Sequence, residues 1–562
     1  MPAKSNLRSI PFFSDLPDDA LDAIAQRLLR EHYHKDATVV QEDDPGDSMY
    51  IIESGQVKVI TEKSGKEKIH AYLGPGNFFG EGSVLSGEKR SATVKVVIDV
   101  ELLSLRKDDL QDLLTQHPAI ALTLTRELSR RLGRTLQTPV QTEEFNIVAC
   151  IGNAAPRLAR FLAELTGEAV LLLDIGGLAN VTLDPAWLRE ARVEFLRGAN
   201  LIDAENLPSR LSQLVERYYW ILLVVAPYEA PVTIKAMELA DITIHLGAGD
   251  DAWIRNLAPK GHWHAPDNEK SLRRMARKIA KRLVGIALSS GNARGFAHIG
   301  VLKVLEENSI PVDMIAGTSA GAVFGSLYAA GRTVKELHVF AENIQRQYNF
   351  LTGFRYWDFR IPPRSGIIKG NMVLNYFQQW LVNKTFDDLE IPLYIIATDV
   401  ISGEEVVFDR GPVAEAVRAS MSVIGVLEPA YVAGRFLIDG GAVNPVPSQL
   451  LADKGIDIIL ASSVIPSLED RLHRRELKRE GRAPNVIGIV MGAMEIMESE
   501  IIKTRMGPVD VLIEPDIGRY GTLEYDKVHE IIQRGEDGAR LKIPFIKQLL
   551  APRPRPPLSP RG

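Results

Sequence analysis

The chain has 562 residues, roughly three to four times a typical domain, which predicts more than one hydrophobic core. Hydrophobic residues make up 45% and charged residues 25%, with 44 Gly and 32 Pro, and these values exclude wholesale disorder, a fibrous repeat and a disulfide scaffold. Sixty-six Lys+Arg against 72 Asp+Glu leave a net charge of −6, which argues against a nucleic-acid binder. Cys150 is the only cysteine, so no intrachain disulfide forms, as suits a reducing cytoplasm.

Met1 to Arg30 interleaves Asp15, Asp18, Asp19 and Asp22 with apolar residues and has no apolar h-region or cleavage pattern. The longest apolar stretch, Trp220 to Pro227, is far short of the ~20 residues that cross a bilayer. The expectation is a cytoplasmic protein, peripheral at most to the inner face of a membrane. From Thr38 to Leu105 short strands alternate with Gly-rich turns, as in Ser48-Met-Tyr-Ile-Ile, Ser54-Gly55 and Gln56-Val-Lys-Val-Ile. That texture predicts a small antiparallel barrel or jelly roll. Leu122, Leu124, Leu128 and Leu132 then repeat along a helix, Ile120 to Leu136, that is available to pair two copies.

From Asn146 the pattern becomes strand–helix alternation. Ile147 to Ile151, Val170 to Asp174 and Trp220 to Val225 are continuous apolar runs, as in strands of a doubly wound parallel sheet covered on both faces. Gly152-Asn-Ala-Ala-Pro-Arg follows the first strand without the Gly-Lys-Ser/Thr that cradles phosphates, so this unit reads as a spacer, vaguely similar to the MinD/ParA type of nucleotide-binding fold. Ser271 to Leu283 sets Leu272, Met275, Ile279 and Leu283 against Arg273, Arg274, Arg277, Lys278, Lys281 and Arg282. Such a helix either packs on the following domain or meets an anionic membrane. A second alternating unit runs from Val284 to about Leu550, and Ala551-Pro-Arg-Pro-Arg-Pro-Pro reads as a disordered tail. The expected division is residues 1–140, 145–262, 283–550 and 551–562.

The chemical signals are densest in the third unit. Asp313-Met-Ile-Ala-Gly317-Thr-Ser319-Ala-Gly321 leads from a strand into a helix, the sequence form of a nucleophile elbow. The turn strains the serine, needs glycine where backbones approach, and places Oγ at a helix N-terminus. Leu288-Ser289-Ser290-Gly291-Asn292-Ala293-Arg294-Gly295 follows the unit's first strand, and its small residues let backbone N–H groups converge on an oxyanion or a phosphate. Ser290 and Asn292 stand where a dinucleotide loop needs Gly. Phe436-Leu-Ile-Asp439-Gly440-Gly441 ends a strand in a carboxylate and a turn.

In this order the three motifs resemble those of the patatin-like phospholipases, most closely the bacterial relatives of neuropathy target esterase. The likeness extends to Ala293-Arg-Gly-Phe-Ala-His-Ile-Gly-Val-Leu and Val312-Asp-Met-Ile-Ala-Gly-Thr-Ser-Ala-Gly. The resemblance implies an α/β hydrolase with Ser319 as nucleophile, Asp439 as its base, and Gly291, Asn292, Ala293 and Arg294 in the oxyanion loop. A serine–histidine triad has three histidines to draw on after Ser319, namely His338, His473 and His529, and none ends a strand. A Ser-Asp dyad fits better, with His298 a packing residue and no metal required, since no His/Asp/Glu cluster has ligand spacing.

The barrel carries Gly74-Pro-Gly-Asn-Phe-Phe-Gly80-Glu81-Gly82-Ser83 and Gly87-Glu-Lys-Arg90-Ser91-Ala92-Thr93-Val94. A turn with exposed N–H groups, one Arg and one carboxylate can hold a phosphate and a ribose hydroxyl. This stretch, with Gly46-Asp-Ser-Met-Tyr-Ile-Ile-Glu-Ser-Gly55 upstream, resembles the phosphate-binding cassette of cyclic-nucleotide-binding domains. The likeness implies that Glu81 binds the ribose and Arg90 the phosphate of cAMP or cGMP, with Gly80, Ser91 and Ala92 beside them. The expected function is a cyclic-nucleotide-regulated hydrolase of phospholipid or lysophospholipid esters. The alternatives are a nucleotide sensor with an inactive hydrolase scaffold, and a transcription regulator, which lacks its helix-turn-helix here.

Overall fold

The computed structural model describes residues 13, 16–63, 66–117, 120–121, 124, 146–178, 182–198, 202–215, 217–248, 252–258, 261–347, 358–466 and 486–552. Most of the Ile120–Leu136 helix, His473 and nearly all of the tail expected at 551–562 lie outside the described residues. The described chain divides into two compact units, Met1–Ala280 and Lys281–Ala551.

The first unit begins with an antiparallel sheet of β1 (Leu29–Tyr33), β2 (Thr38–Val40), β3 (Ser48–Lys63), β4 (Lys66–Leu73), β5 (Phe78–Phe79) and β6 (Thr93–Arg106), with helix α1 (Glu81–Ser86) after β5. The order is β1-β6-β3-β4, with β2 added to β6 and β5 to β3. β3 and β6 are long strands whose register slips between Ile52 and Val57, and such bulges bend a sheet. Alternate residues serve two cores: Ile51 and Leu103 face one, Ile52 and Leu102 the other.

A second, all-parallel sheet follows, built of β7 (Asn146–Ile151), β8 (Val170–Asp174), β9 (Val193–Arg197), β10 (Trp220–Val225), β11 (Ile242–Leu246) and β12 (His262–Ala265). Its order is β12-β11-β7-β10-β8-β9. The apolar runs are continuous because both faces are covered: Val148, Leu172 and Leu222 enter one core, Ile147, Leu171 and Ile221 the other. The second of these cores also takes in Ile98 from β6, fully buried, so barrel and parallel sheet share apolar contacts. Helices α2 (Ala155–Thr166) and α3 (Pro231–Leu239) cover this sheet. At the seam Lys35 Nζ donates to Leu239 O (2.6 Å) and Asp241 Oδ1 (2.9 Å), and Lys235 Nζ of α3 reaches Asp99 Oδ2 of β6 at 2.5 Å.

The basic amphipathic segment forms α4 (Glu269–Ile279), capped by Asn268, whose side chain accepts from Ser271 N. One expectation for it is corrected. Its apolar face joins the core of the parallel sheet beside Leu158 and Leu162 of α2, not the hydrolase unit. Arg273 lies 4.2 Å over the Phe161 ring, and Lys278 3.9 Å over Trp263. These cation–π contacts draw two of the cations inward onto the parallel-sheet layer.

The second unit holds a mixed sheet of β13 (Val284–Leu288), β14 (Met314–Thr318), β16 (Leu393–Asp399), β17 (Glu405–Phe408), β19 (Ala430–Val432), β20 (Arg435–Asp439), β21 (Ile458–Ser462) and β22 (Val511–Ile513). Outside it, β15 (Gly366–Ile368) pairs with β18 (Gly425–Leu427). The main order is β19-β20-β16-β14-β13-β21-β22, with β17 on β16. Helices α5 (Ala297–Glu307), α6 (Ala320–Ala329), α7 (Val486–Arg505) and α8 (Val528–Leu550) surround it. Ile286, Ile315 and Leu460 face the larger core, while Ala287, Ala316 and Ala461 face the smaller one. Among the described residues no helix is long and apolar enough to cross a membrane.

Candidate functional site

The register of three neighbouring strands brings the hydrolase motifs together. β13 runs parallel to β14 with Leu288 opposite Gly317, so the Ser289–Gly295 loop leaves the sheet beside the elbow. β14 runs parallel to β16 with Thr318 opposite Ile396, and β20 runs antiparallel to β16 with Asp439 opposite Ala397. Ser319 and Asp439 therefore stand level on either side of β16. Ligands bind at the carboxyl ends of such parallel strands.

Ser319 has φ 53° and ψ −115°, a left-handed conformation that an L-residue adopts only under constraint. The constraint comes from close packing around the turn. A Cβ at Gly317 would lie 2.6 Å from Gly321 O, and one at Gly321 would collide with Leu288 O. Ser319 N–H donates to Ser420 Oγ at 2.8 Å, and Ser420 Oγ donates to Ile396 O at 2.5 Å. Ser319 Oγ donates to Asp439 Oδ2 at 2.6 Å, while Asp439 Oδ1 accepts from Gly441 N at 2.8 Å. Both residues are buried. Burial pushes the Asp439 carboxyl up to about 6, against the downward pull of its bonds from Ser319 and Gly441.

The histidines take other positions. His298 is fully buried; its Nε2 donates to Ser289 O at 3.0 Å and its Nδ1 accepts from Ser462 Oγ at 2.9 Å. Burial pulls it down to about 4, so the ring is neutral and its two nitrogens are occupied. His338 is half-buried on the helix Val334–Gln347 and His529 sits on α8, 3.8 Å from Glu342.

Ser319 opens on a cavity of about 730 Å³ walled by Phe296, Val323, Phe324, Ile368, Tyr376 and Met491. Asn292 and Ala320 also reach it. Of the four loop residues expected to form an oxyanion hole, two have N–H groups engaged elsewhere, Ala293 on Thr522 O (3.1 Å) and Arg294 on Gly291 O (3.1 Å). That leaves the N–H groups of Gly291 and Asn292, which have no protein partner among the described residues. Asn292 has φ 51°, in keeping with a sharply turned loop.

Sequence reasoning missed two acids on α7. Glu495 Oε1 accepts from Arg294 Nη2 at 2.5 Å, and Glu498 Oε1 from Ser290 Oγ at 2.6 Å. The available signal was a pair of acids three apart, following the apolar run Val486–Met494.

In the barrel, Gly80 has φ +80° and a Cβ there would press on Arg90 Nη1 at 2.6 Å. Arg90 is buried, and Nη1 donates to Gly80 O (2.9 Å) and Ser83 Oγ (2.8 Å), Nη2 to Ser48 O (2.7 Å). Three of its five N–H groups thus brace this turn, and Asp47 Oδ1 lies 3.9 Å from Nη2. Glu81 begins α1; Ser91 is exposed and Ala92 half-buried. In the parallel sheet Gly152, at φ +122°, packs its loop closely onto Leu246 O. The fold also assembles a cluster that has no ligand spacing in the sequence. His32 on β1 and His34 just after it meet Asp99 on β6, with ligand atoms within 4.8 Å of one another. Asp99 already receives Lys35 N at 2.9 Å and Lys235 Nζ at 2.5 Å.

Two family models match the chain. The Patatin-like phospholipase family matches residues 286–452, and the Cyclic nucleotide-binding domain matches residues 30–117. An uncharacterized NTE family protein of Mycobacterium tuberculosis is 25% identical over 96% of this chain and 96% of its own length. Mouse patatin-like phospholipase domain-containing protein 6 is 24% identical over 81% of this chain and 39% of its own. Among solved structures, the Thermus thermophilus catabolite activator protein is 32% identical over 28% of this chain and 70% of its own, with a TM-score of 0.22. The chain carries a patatin-like phospholipase domain behind an N-terminal cyclic nucleotide-binding domain, and its homologues are NTE family proteins.

Proposed function

We propose that the chain is a serine acyl hydrolase of phospholipids or lysophospholipids, regulated by a cyclic nucleotide. The observation that carries the reading is a strained, buried serine hydrogen-bonded at 2.6 Å to a buried carboxylate, at the end of an apolar cavity of about 730 Å³. Asp439 accepts the Ser319 proton as Oγ attacks the ester carbonyl carbon. The oxyanion forms against the N–H groups of Gly291 and Asn292, joined by that of Ala320 at the start of α6. Asp439 then returns the proton to the departing alcohol oxygen. Water, deprotonated by the same carboxylate, attacks the acyl-enzyme carbonyl; the Ser319 ester bond breaks, Asp439 returns the proton to Ser319 Oγ, and the fatty acid leaves. The apolar wall takes the acyl chain, and the head group stays toward solvent.

The cassette would hold cAMP or cGMP, Arg90 giving its two remaining N–H groups to the cyclic phosphate and Glu81 accepting from the ribose 2′-hydroxyl. The substrate is met at a lipid surface. Since the apolar side of α4 is buried, any contact of that helix with an anionic bilayer is electrostatic and fades with salt. The test is hydrolysis of phospholipid and lysophospholipid vesicles with and without each nucleotide, alongside fluorophosphonate labelling of Ser319. Labelling with hydrolysis supports the reading. A wild-type chain that takes no label and releases no fatty acid overturns it, and turnover indifferent to both nucleotides overturns the regulation.

A further inference from the structure

α7 is apolar over most of its length, yet Glu495 and Glu498 lie one turn apart on its buried side. A buried carboxyl is costly unless something at the site needs it. Both acids grip the same loop. Glu498 holds Ser290 at one end (2.6 Å), and Glu495 holds Arg294 at the other (2.5 Å). Between those two anchors stand Gly291 and Asn292, the residues with unengaged N–H groups.

Glu498 also touches the Asp439 turn. A Cβ at Gly441 would run into Glu498 Oε1, and Gly441 N–H is the donor that orients Asp439 at 2.8 Å. One carboxyl therefore bears on the oxyanion loop and on the turn that aims the base. Ser290 Oγ would also lie 3.1 Å from that Cβ, closer than an ordinary contact, so loop, turn and acid close on one point.

Resting on the reading of Ser319 and Asp439 as the catalytic pair, we propose that Glu498 is a positioning residue for the reaction, locking the Ser290–Arg294 loop against the Asp439 turn. It fixes where the Gly291 and Asn292 N–H groups point when the carbonyl is attacked. Its charge state matters as well. The groups facing it are Asp439, Glu495 and Arg294. Burial first, and then the charge of Asp439, push Glu498 up to about 8, against the pull of Ser290 and Arg294. At neutral pH it is a neutral acid that holds the loop without adding a second anion beside Asp439 and the developing oxyanion. Ionisation at higher pH places that anion there and slows attack.

The test uses the full chain, a soluble short-chain ester followed by pH-stat, and fluorophosphonate labelling as a count of competent Ser319. Glu498→Gln keeps the hydrogen bond and cannot ionise. It should hold kcat within about threefold of wild type at neutral pH and lose the alkaline decline that wild type shows above about pH 8. Glu498→Ala should lower kcat by at least about 30-fold with KM within about twofold, because the loop is released while the acyl cavity is untouched. If Glu498→Ala does not fold, the Gln profile decides alone. An alkaline limb unmoved by Glu498→Gln, in an enzyme whose wild type labels and turns over, overturns this proposal and leaves the catalytic pair standing. A wild type that neither labels nor turns over overturns both.

Discussion

Asp439→Asn is the sharpest perturbation of the site, because the two carboxylate oxygens do separate jobs. Oδ2 accepts from Ser319 at 2.6 Å, and Oδ1 accepts from Gly441 at 2.8 Å. The carboxamide is isosteric and keeps the turn, but it cannot take a proton, so the expected loss in kcat is about 10³- to 10⁴-fold with KM little changed. The wild-type pH profile supplies an independent magnitude. Burial raises Asp439 from 3.8 to about 6, and the base works only when ionised. Activity should therefore fall as pH falls through about 6, to roughly a tenth of its plateau at about pH 5. The assay is steady-state hydrolysis of a soluble ester, with Ser319 labelling to confirm that the elbow is intact. Retention of more than about a tenth of wild-type kcat by Asp439→Asn, or a flat profile down to about pH 5, would refute the reasoning.

Gly321→Ala should cost at least about tenfold in labelling rate or prevent folding, because its Cβ meets Leu288 O; Gly492→Ala on α7, with nothing within 4 Å, should leave labelling unchanged and raise stability by about 0.5–1 kcal/mol in a urea melt. Lengthening the acyl chain of a soluble ester from butyrate to octanoate should raise kcat/KM about fourfold per carbon, at about 0.8 kcal/mol for each CH₂ buried in the cavity. A series with no slope would mean that the acyl chain does not enter there. Lys235→Ala breaks the 2.5 Å pair with Asp99 and should lower the melting transition of the first unit by roughly 1–3 kcal/mol, read by denaturant unfolding, without changing ester turnover on a soluble substrate.

The meeting of Ser319 and Asp439 was legible because backbone sterics force the residue types around them. A serine in a left-handed turn between close-packed glycines and an aspartate before a two-glycine turn leave a local trace, and the strand order sets them level. The continuous apolar runs of β7, β8 and β10 likewise announced a sheet buried on both faces. What stayed hidden depends on distant chain segments. Glu498 meets Ser290 across 208 positions, and no local period marks that encounter. The partner of α4 was invisible for the same reason, since Leu272 and Met275 read as an apolar stripe whichever domain covers them. The Ser289–Gly295 loop stands out by its small residues, but the engagement of its Ala293 N–H depends on Thr522, far away in the chain. His32, His34 and Asp99 form a cluster only through cross-strand register between β1 and β6.

The seam between barrel and parallel sheet couples the folding of the two. Ile98 belongs to a nucleotide-binding barrel by sequence and to a neighbouring sheet's core by packing, and Lys35 and Lys235 tie each side to the other. Unfolding one partner strips apolar cover from the other, so Met1–Ala280 should melt as one cooperative transition. Any ligand that prefers the folded barrel then stabilises the parallel sheet by the same amount, about 2.7 kcal/mol at a hundredfold excess over its Kd. A barrel cut free near residue 140 would expose Ile98 to water and change the very affinity it was excised to measure. The parallel sheet thus shares the barrel's folding equilibrium, and a ligand bound to the barrel would stabilise it without touching it.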